Sequence, residues 1–366
     1  MASPQALDSV QLPLGNRAHR SEDVAVVIPT RDRWPLARMA LASALAQEDV
    51  DAQVVVVDDG STDRTAGELD ALHDPRVQVL HHDRPRGVSA ARNGGLRHVA
   101  TQWVAFLDDD DVWAPGYLAA MLDAVEASEL DRERVGLVYS GHLTVDSERR
   151  LTGVDEAPAT DAVRNGLDRF NFVGCPSRVV LRTDAVRDVG GFDVRLSVIA
   201  DWDLWVRMVA KYGAVRCPEL LVGYMRHPGN MHLDGDRFLE ELAVLQRKHG
   251  WDRGLALPGD ILPAYVASAY RAGGRRLRAA RWYLRAFRVQ RTRRDLGRAV
   301  GVLFGERLIS LSGLRQHTTV DPSLGRWLEP LRQAQRGTTA GLPSLPGGLQ
   351  PSRGVHGHAE PGHRSG

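Results

Sequence analysis

Four short apolar runs, each ending abruptly in polar or acidic residues, constrain this chain more than any other feature. Val24-Ala25-Val26-Val27-Ile28 stops at Pro29-Thr30, and Val54-Val55-Val56-Val57 stops at Asp58-Asp59-Gly60-Ser61-Thr62-Asp63. Val77-Gln78-Val79-Leu80 gives way to His81-His82, and Val104-Ala105-Phe106-Leu107 runs into Asp108-Asp109-Asp110-Asp111. β-Branched runs without polar alternation read as strands buried on both faces. Helical patterns separate them, at Pro35 to Gln47 with Pro in the first turn, at Thr65 to Leu72, and from Ser89, which reads as a cap. Strands alternating with helices predict a mostly parallel α/β sheet flanked by helices. In such sheets ligands gather at the carboxyl ends of the strands, the edge where Thr30, Asp59 and Asp108 to Asp111 fall.

The four consecutive carboxylates need a reason to stay together, because each like-charged pair at ~4 Å repels by about 1 kcal/mol even in water. A hard divalent cation is one reason, since Mg²⁺ and Mn²⁺ take one or two carboxylates and complete their shells with phosphate and water. A solvated acidic turn before a helix at Pro115 is the other, and the residues alone leave both open. No G-x-G-x-x-G follows the first strand and no G-x-x-x-x-G-K-[ST] occurs, which excludes the common dinucleotide and P-loop fingerprints. Asp59 can accept from a base N–H or a ribose hydroxyl, or can stabilise its own turn; Arg86 or Arg92 can meet a diphosphate.

Of 366 residues 43% are hydrophobic and 25% charged, ordinary for a globular chain, and no run approaches the ~18 apolar residues a membrane helix needs. Residues 1–23 lack an apolar signal core and are expected to form a flexible arm. Cys175 and Cys217 are too few for a disulfide framework, which fits a reducing compartment. After a helix from Pro115 to Ala127, strands are expected at Leu137 to Ser140, Leu143 to Val145 and Arg178 to Leu181, with a polar loop over Asp146 to Asp161 and a short helix capped by Thr183. Asp201-Trp202-Asp203-Leu204-Trp205 begins another helix. An Asp there is a cap on one reading; on the other, a carboxylate beside tryptophans has a raised pKa and suits a general base.

Taken in order, Val27-Ile28-Pro29-Thr30-Arg31-Asp32-Arg33, Val57-Asp58-Asp59-Gly60-Ser61, Ser89-Ala90-Ala91-Arg92-Asn93, Phe106-Leu107-Asp108-Asp109-Asp110, Gly190-Gly191-Phe192-Asp193 and Asp201-Trp202-Asp203 resemble the family 2 glycosyltransferases of the GT-A fold. The resemblance covers about Val24 to Met231 and implies a Rossmann-like sheet over 24–250. It also implies transfer of a sugar from a nucleoside-diphosphate sugar, a UDP- or dTDP-sugar, to an acceptor hydroxyl with inversion, in cell-surface polysaccharide or glycoconjugate synthesis. Pro29, Thr30, Arg31, Asp59, Arg92, Asp108 and Asp109 then match donor-binding positions, and Asp110 and His227 match ligands for Mn²⁺ or Mg²⁺. Asp201 matches the general base, and Cys175, Pro176, Ser177 and Trp202 lie on the acceptor side. Ala200 stands where the family often has Glu.

Residues 251–336 form an Arg-rich extension, read as helices at Ile261 to Arg271 and Arg275 to Arg291 broken at Ala272-Gly273-Gly274. Residues 271–298 hold eleven Arg and one Asp, which suits either a solvated helical face or contact with an anionic membrane. No nucleic-acid reader motif accompanies them. Residues 225–236, with Pro228 and Gly229, are expected to act as a lid, and the Gly- and Pro-rich stretch 337–366 to be disordered. The acceptor is expected to be a glycan, a lipid-linked or a small molecule, and the location cytoplasmic or peripheral at the inner face of the plasma membrane. Two rival classes are a nucleotidyltransferase, which needs a Gly-rich loop that Val24 to Trp34 lacks, and a non-catalytic binding member.

Overall fold

The computed structural model describes residues 23–227, 230, 233–251, 262–291, 293–304 and 322–330. Residues 1–22 of the expected N-terminal arm, part of the expected lid and the stretch 337–366 lie outside them, while Asp23 begins the first strand. The main sheet has seven strands in the order β10-β6-β9-β4-β1-β2-β3. They are β1 (Asp23–Thr30), β2 (Asp51–Asp58), β3 (Val77–His81), β4 (Trp103–Phe106), β6 (Val135–Tyr139), β9 (Val179–Arg182) and β10 (Gly213–Arg216). All neighbours pair in parallel except β9, which runs antiparallel to both β4 and β6. The expected mostly parallel α/β sheet is what the chain forms.

The unbroken apolar character of β1 has a direct structural cause. Val24, Val26 and Ile28 share one side with α1 (Trp34–Leu45), α2 (Thr65–Asp70) and α4 (Tyr117–Glu126). Ala25 and Val27 join the other side, with α3 (Val88–Leu96), α7 (Ala200–Lys211) and α8 (Gly235–Lys248). A period of two turns alternate side chains to opposite faces, so a strand covered on both must be apolar throughout. Burying each Val or Ile contributes about 1.5–3 kcal/mol. Close packing extends to Gly95, where an added Cβ would sit 2.4 Å from a Val27 methyl.

A second sheet, in the order β5-β11-β7-β8, adds β5 (Val112–Trp113), β7 (His142–Val145), β8 (Leu151–Asp155) and β11 (Val222–Met225). The polar stretch 146–161 is therefore not all loop. Asp146 accepts from the backbone N–H of Glu148 and Arg150 and from the Arg150 side chain, closing a tight turn that lets β8 pair antiparallel with β7. Its end enters α5 (Thr160–Gly166). Two expected caps are also corrected. Helix α3 is preceded by Gly87, and the Ser89 hydroxyl donates instead to the Leu196 carbonyl. Thr183 is the first residue of α6 (Thr183–Asp188), behind Arg182, and makes no capping bond.

The extension folds as α9 (Leu262–Ala272), α10 (Arg276–Gln290) and α11 (Arg293–Phe304). Leu262, Val266, Ala267 and Tyr270 of α9 share a core with Trp202 and Leu204 of α7. Among the described residues no helix is long and apolar enough to cross a membrane.

Candidate active site

The parallel register brings three strand ends together. Thr30 pairs with Asp58, Val27 with Phe106, and the Asp59 N–H donates to the Thr30 carbonyl at 2.9 Å. A cavity of about 500 Å³ opens there, lined by Pro29, Thr30, Arg31, Asp59, Arg92, Asp108, Asp109 and Asp110, all residues singled out from sequence. Arg33, Val88, Asn230 and Arg237 complete much of the wall.

Inside the cluster each carboxylate has a different task. Asp108 pairs with Arg92, which is 3% exposed, and its backbone N–H donates to Ser177 Oγ. Asp109 accepts from Thr30 Oγ1 at 2.9 Å and from Arg33 Nη1 at 3.2 Å. The Asp110 carboxylate meets His227 Nε2 at 2.9 Å and Arg33 Nη1 at 3.4 Å. Asp111 starts no helix: it is buried, accepts from the Met225 N–H, and leads into β5. Burial and then the charge of Asp110 push the Asp109 carboxyl up to about 7, and the same two causes push Asp111 well above the carboxylate range. Burial and mutual repulsion thus disfavour full ionisation of the cluster, and a bound cation would relieve that repulsion. Asp110 and His227 supply a carboxylate and an imidazole on one side; a cage of three or more His, Cys, Asp or Glu is absent among the described residues. Two protein ligands with an open remainder fit Mg²⁺ or Mn²⁺ completed by a diphosphate.

Asp59 does not stabilise its own turn; Asp58 does, accepting from the Ser61 N–H at 3.0 Å. Asp59 instead accepts from His82 Nδ1 and from the N–H groups of Arg86 and Gly87, pinning the loop before α3 beside the cavity.

A second cavity of about 520 Å³ adjoins the first. Phe170, Phe172, Trp202, Phe238 and Tyr265 give it an aromatic wall, and His142, Asp155, Arg178 and Arg226 a polar one. Cys175, Val198, Asp201 and Tyr224 line both cavities. Asp201 therefore faces the junction. Its Oδ1 accepts from the Trp202 N–H at 2.7 Å and its Oδ2 from Asn171 Nδ2 at 3.2 Å. Burial pushes its carboxyl up to about 7, against the pull of the Trp202 N–H and Arg92. Two residues on, burial also acts on Asp203, but bonds from His249 and Lys248 and the charge of Arg207 outweigh it and hold that carboxyl at about 2. Neighbouring carboxyls pushed so far apart separate a proton acceptor near neutrality from a structural anion.

Three sequence expectations shift in detail. Ser177 lines neither cavity; it is fully buried, its Oγ holding Asp108 and its carbonyl accepting from Trp113 Nε1. Pro176 lines the first cavity rather than the second. Trp202 lines the second, but its ring is 2% exposed and its Nε1 donates to the Leu167 carbonyl. The sequence offered no signal for Asn171 as a partner of Asp201, or for Tyr265, Ser268 and Ala269 of α9 in the second cavity wall.

Residues 25–190 match the sequence model of the family described as Glycosyl transferase family 2. The match covers a little under half of the chain, from β1 to just past α6. Succinoglycan biosynthesis protein ExoO of Rhizobium meliloti is 41% identical over 106 residues, 29% of this chain and 30% of that protein. UDP-Glc:alpha-D-GlcNAc-diphosphoundecaprenol beta-1,3-glucosyltransferase WfaP of Escherichia coli is 24% identical over 211 residues, 57% of this chain and 80% of that protein. The match thus spans less than a third of ExoO and most of WfaP. Among solved structures, S. aureus TarS 1-349 in complex with UDP-GlcNAc superposes with a TM-score of 0.51 at 17% identity, over 86% of this chain and 92% of that one. That likeness establishes the fold.

Proposed function

We propose that this protein transfers a sugar from a nucleoside-diphosphate sugar to an acceptor hydroxyl, with inversion at the anomeric carbon, in the synthesis of a cell-surface polysaccharide or glycoconjugate. The observation that carries the reading is the position of Asp201, whose carboxyl opens on both cavities at once. The first cavity takes the donor. Thr30 and Asp59 face its nucleoside, Arg31 lies at the rim, and Asp108 and Asp109 face the sugar and ribose. Asp110 and His227 hold the divalent cation, which when bound supplies a Lewis acid for the departing diphosphate.

The second cavity takes the acceptor, with its hydroxyl at the junction. Asp201 accepts the hydroxyl proton as the oxygen bonds to the anomeric carbon and the bond from that carbon to the diphosphate breaks. A base held near neutrality is well matched to this step, which is worth typically about 10²–10⁴-fold. The names of relatives support the substrate classes: WfaP acts on a diphosphoundecaprenol-linked acceptor, and TarS binds UDP-GlcNAc. A lipid-linked acceptor also suits the extension. On α10 the exposed residues Leu277, Arg281, Leu284 and Arg288 follow one another at helical spacing, and α11 exposes Leu296, Val300 and Leu303. Alternating Leu and Arg on one face suits the headgroup region of an anionic membrane.

The test is nucleotide binding followed by turnover. UDP should bind more tightly with Mn²⁺ than with chelator, Asp110→Ala should lose that difference, and Asp201→Asn should bind UDP normally yet release none from any nucleotide sugar that the parent uses. Cation-independent binding in the parent would remove the metal assignment, and unchanged turnover in Asp201→Asn would remove the base.

A further inference from the structure

Helix α7, which carries Asp201 in its first turn, has no cap of its own. The N-cap position is Ile199 and the next residue is Ala200, neither of which has a side-chain acceptor for the N–H groups at the helix start. Glu241, in the middle of α8 and forty residues beyond Asp201, instead holds the segment that leads into the helix. It is 5% exposed, and its two oxygens accept from the backbone N–H of Ser197 at 3.0 Å, Val198 at 2.8 Å and Ile199 at 3.1 Å, and from the Ser197 hydroxyl at 2.8 Å. Arg237 donates to the same carboxylate at 3.0 Å and also lines the donor cavity.

The same helix grips α7 again beyond Asp201, where His249 and Lys248, just past and at its end, bond Asp203. On the other side Ser89 of α3 donates to the carbonyl of Leu196. Asp201 therefore sits between two anchors from α8, and the segment that Glu241 gathers includes Ser197 and Val198, which line the cavities. We infer that Glu241 is a positioning residue for transfer: its buried carboxylate fixes the 197–199 segment and so sets the place of the Asp201 carboxyl between donor and acceptor. This rests on the reading of Asp201 as the base. Misplacement of a reacting group by about 1 Å can cost ~100-fold in rate, so the expected effect falls on kcat.

The experiment compares Glu241→Gln, which keeps shape and one acceptor oxygen, with Glu241→Ala, using UDP with Mn²⁺ for binding and nucleoside diphosphate release from the nucleotide sugar that the parent turns over. Glu241→Gln is expected to bind UDP as the parent does, to lose about tenfold or more in kcat, and to exchange the amide hydrogens of residues 197–203 faster. Parent-like kcat in Glu241→Gln, or a loss of UDP binding in step with kcat, overturns the inference even where Asp201→Asn is inactive. Full turnover in Asp201→Asn overturns the base assignment itself, and this inference with it. Should Glu241→Ala fail to fold, Glu241→Gln decides.

Discussion

Replacing Asp201 with Asn should shift stability relative to wild type in the variant's favour as the pH rises, at the same time as it abolishes transfer. The folded-state carboxyl titrates near 7 because burial disfavours its charge, against 3.8 for an ordinary Asp. Between about pH 4 and 7 the folded chain thus holds a proton that the unfolded chain has released, and the wild type loses stability as the pH climbs through that window. At 1.36 kcal/mol per pKa unit the full loss is at most about 4 kcal/mol. Asp201 is only partly buried, and water entering from the cavities reduces the loss to about half of that. Asn is neutral at every pH. It keeps the acceptor for the Trp202 N–H but sets an amide against Asn171 Nδ2, at a pH-independent cost of about 1 kcal/mol. Urea unfolding with chelator present, at pH 5 and pH 8, should therefore show the difference between Asp201→Asn and wild type moving by about 1–3 kcal/mol in favour of the variant. An identical difference at both pH values would refute the argument that burial poises this carboxyl.

Tyr265 joins the wall of the second cavity from α9, and both burial and the charge of Asp201 push its hydroxyl up. Tyr265→Ala should raise the acceptor KM about tenfold while leaving UDP affinity unchanged, and an unchanged acceptor KM would place the acceptor elsewhere. For the extension, vesicles of phosphatidylglycerol but not of phosphatidylcholine should sediment the protein. Reversing Arg281, Arg285 and Arg288 to Glu should abolish this, since each basic residue at the surface is worth about 1 kcal/mol. Equal sedimentation with neutral vesicles would point to Leu277 and Leu284 alone.

What the sequence determined by itself was whatever depends on neighbours along the chain. Unbroken β-branched runs can only be strands covered on both faces, so the α/β class and the edge carrying Thr30, Asp59 and Asp108 to Asp111 were legible from residues 24–111. Short-range pattern failed where a strand is built by its partner. The two-residue β5, β8 in a polar stretch, and β11 have little apolar periodicity and exist because they pair with one another or with β7. The Ser89 cap failed because the fold brings the Leu196 carbonyl within reach of its hydroxyl, whereas Thr183 Oγ1 is buried without a hydrogen-bond partner.

Only the tertiary structure decided the surroundings of Asp201. A carboxylate in the first turn of a helix is equally a cap or a base when read locally, and what separates the two is the desolvation produced by residues from distant parts of the chain. Phe170, Asn171, Cys175 and Tyr265 close around Asp201, whereas Lys248 and His249 bring charge and donors to Asp203. Two carboxyls two residues apart in sequence end at about 7 and about 2 for that reason.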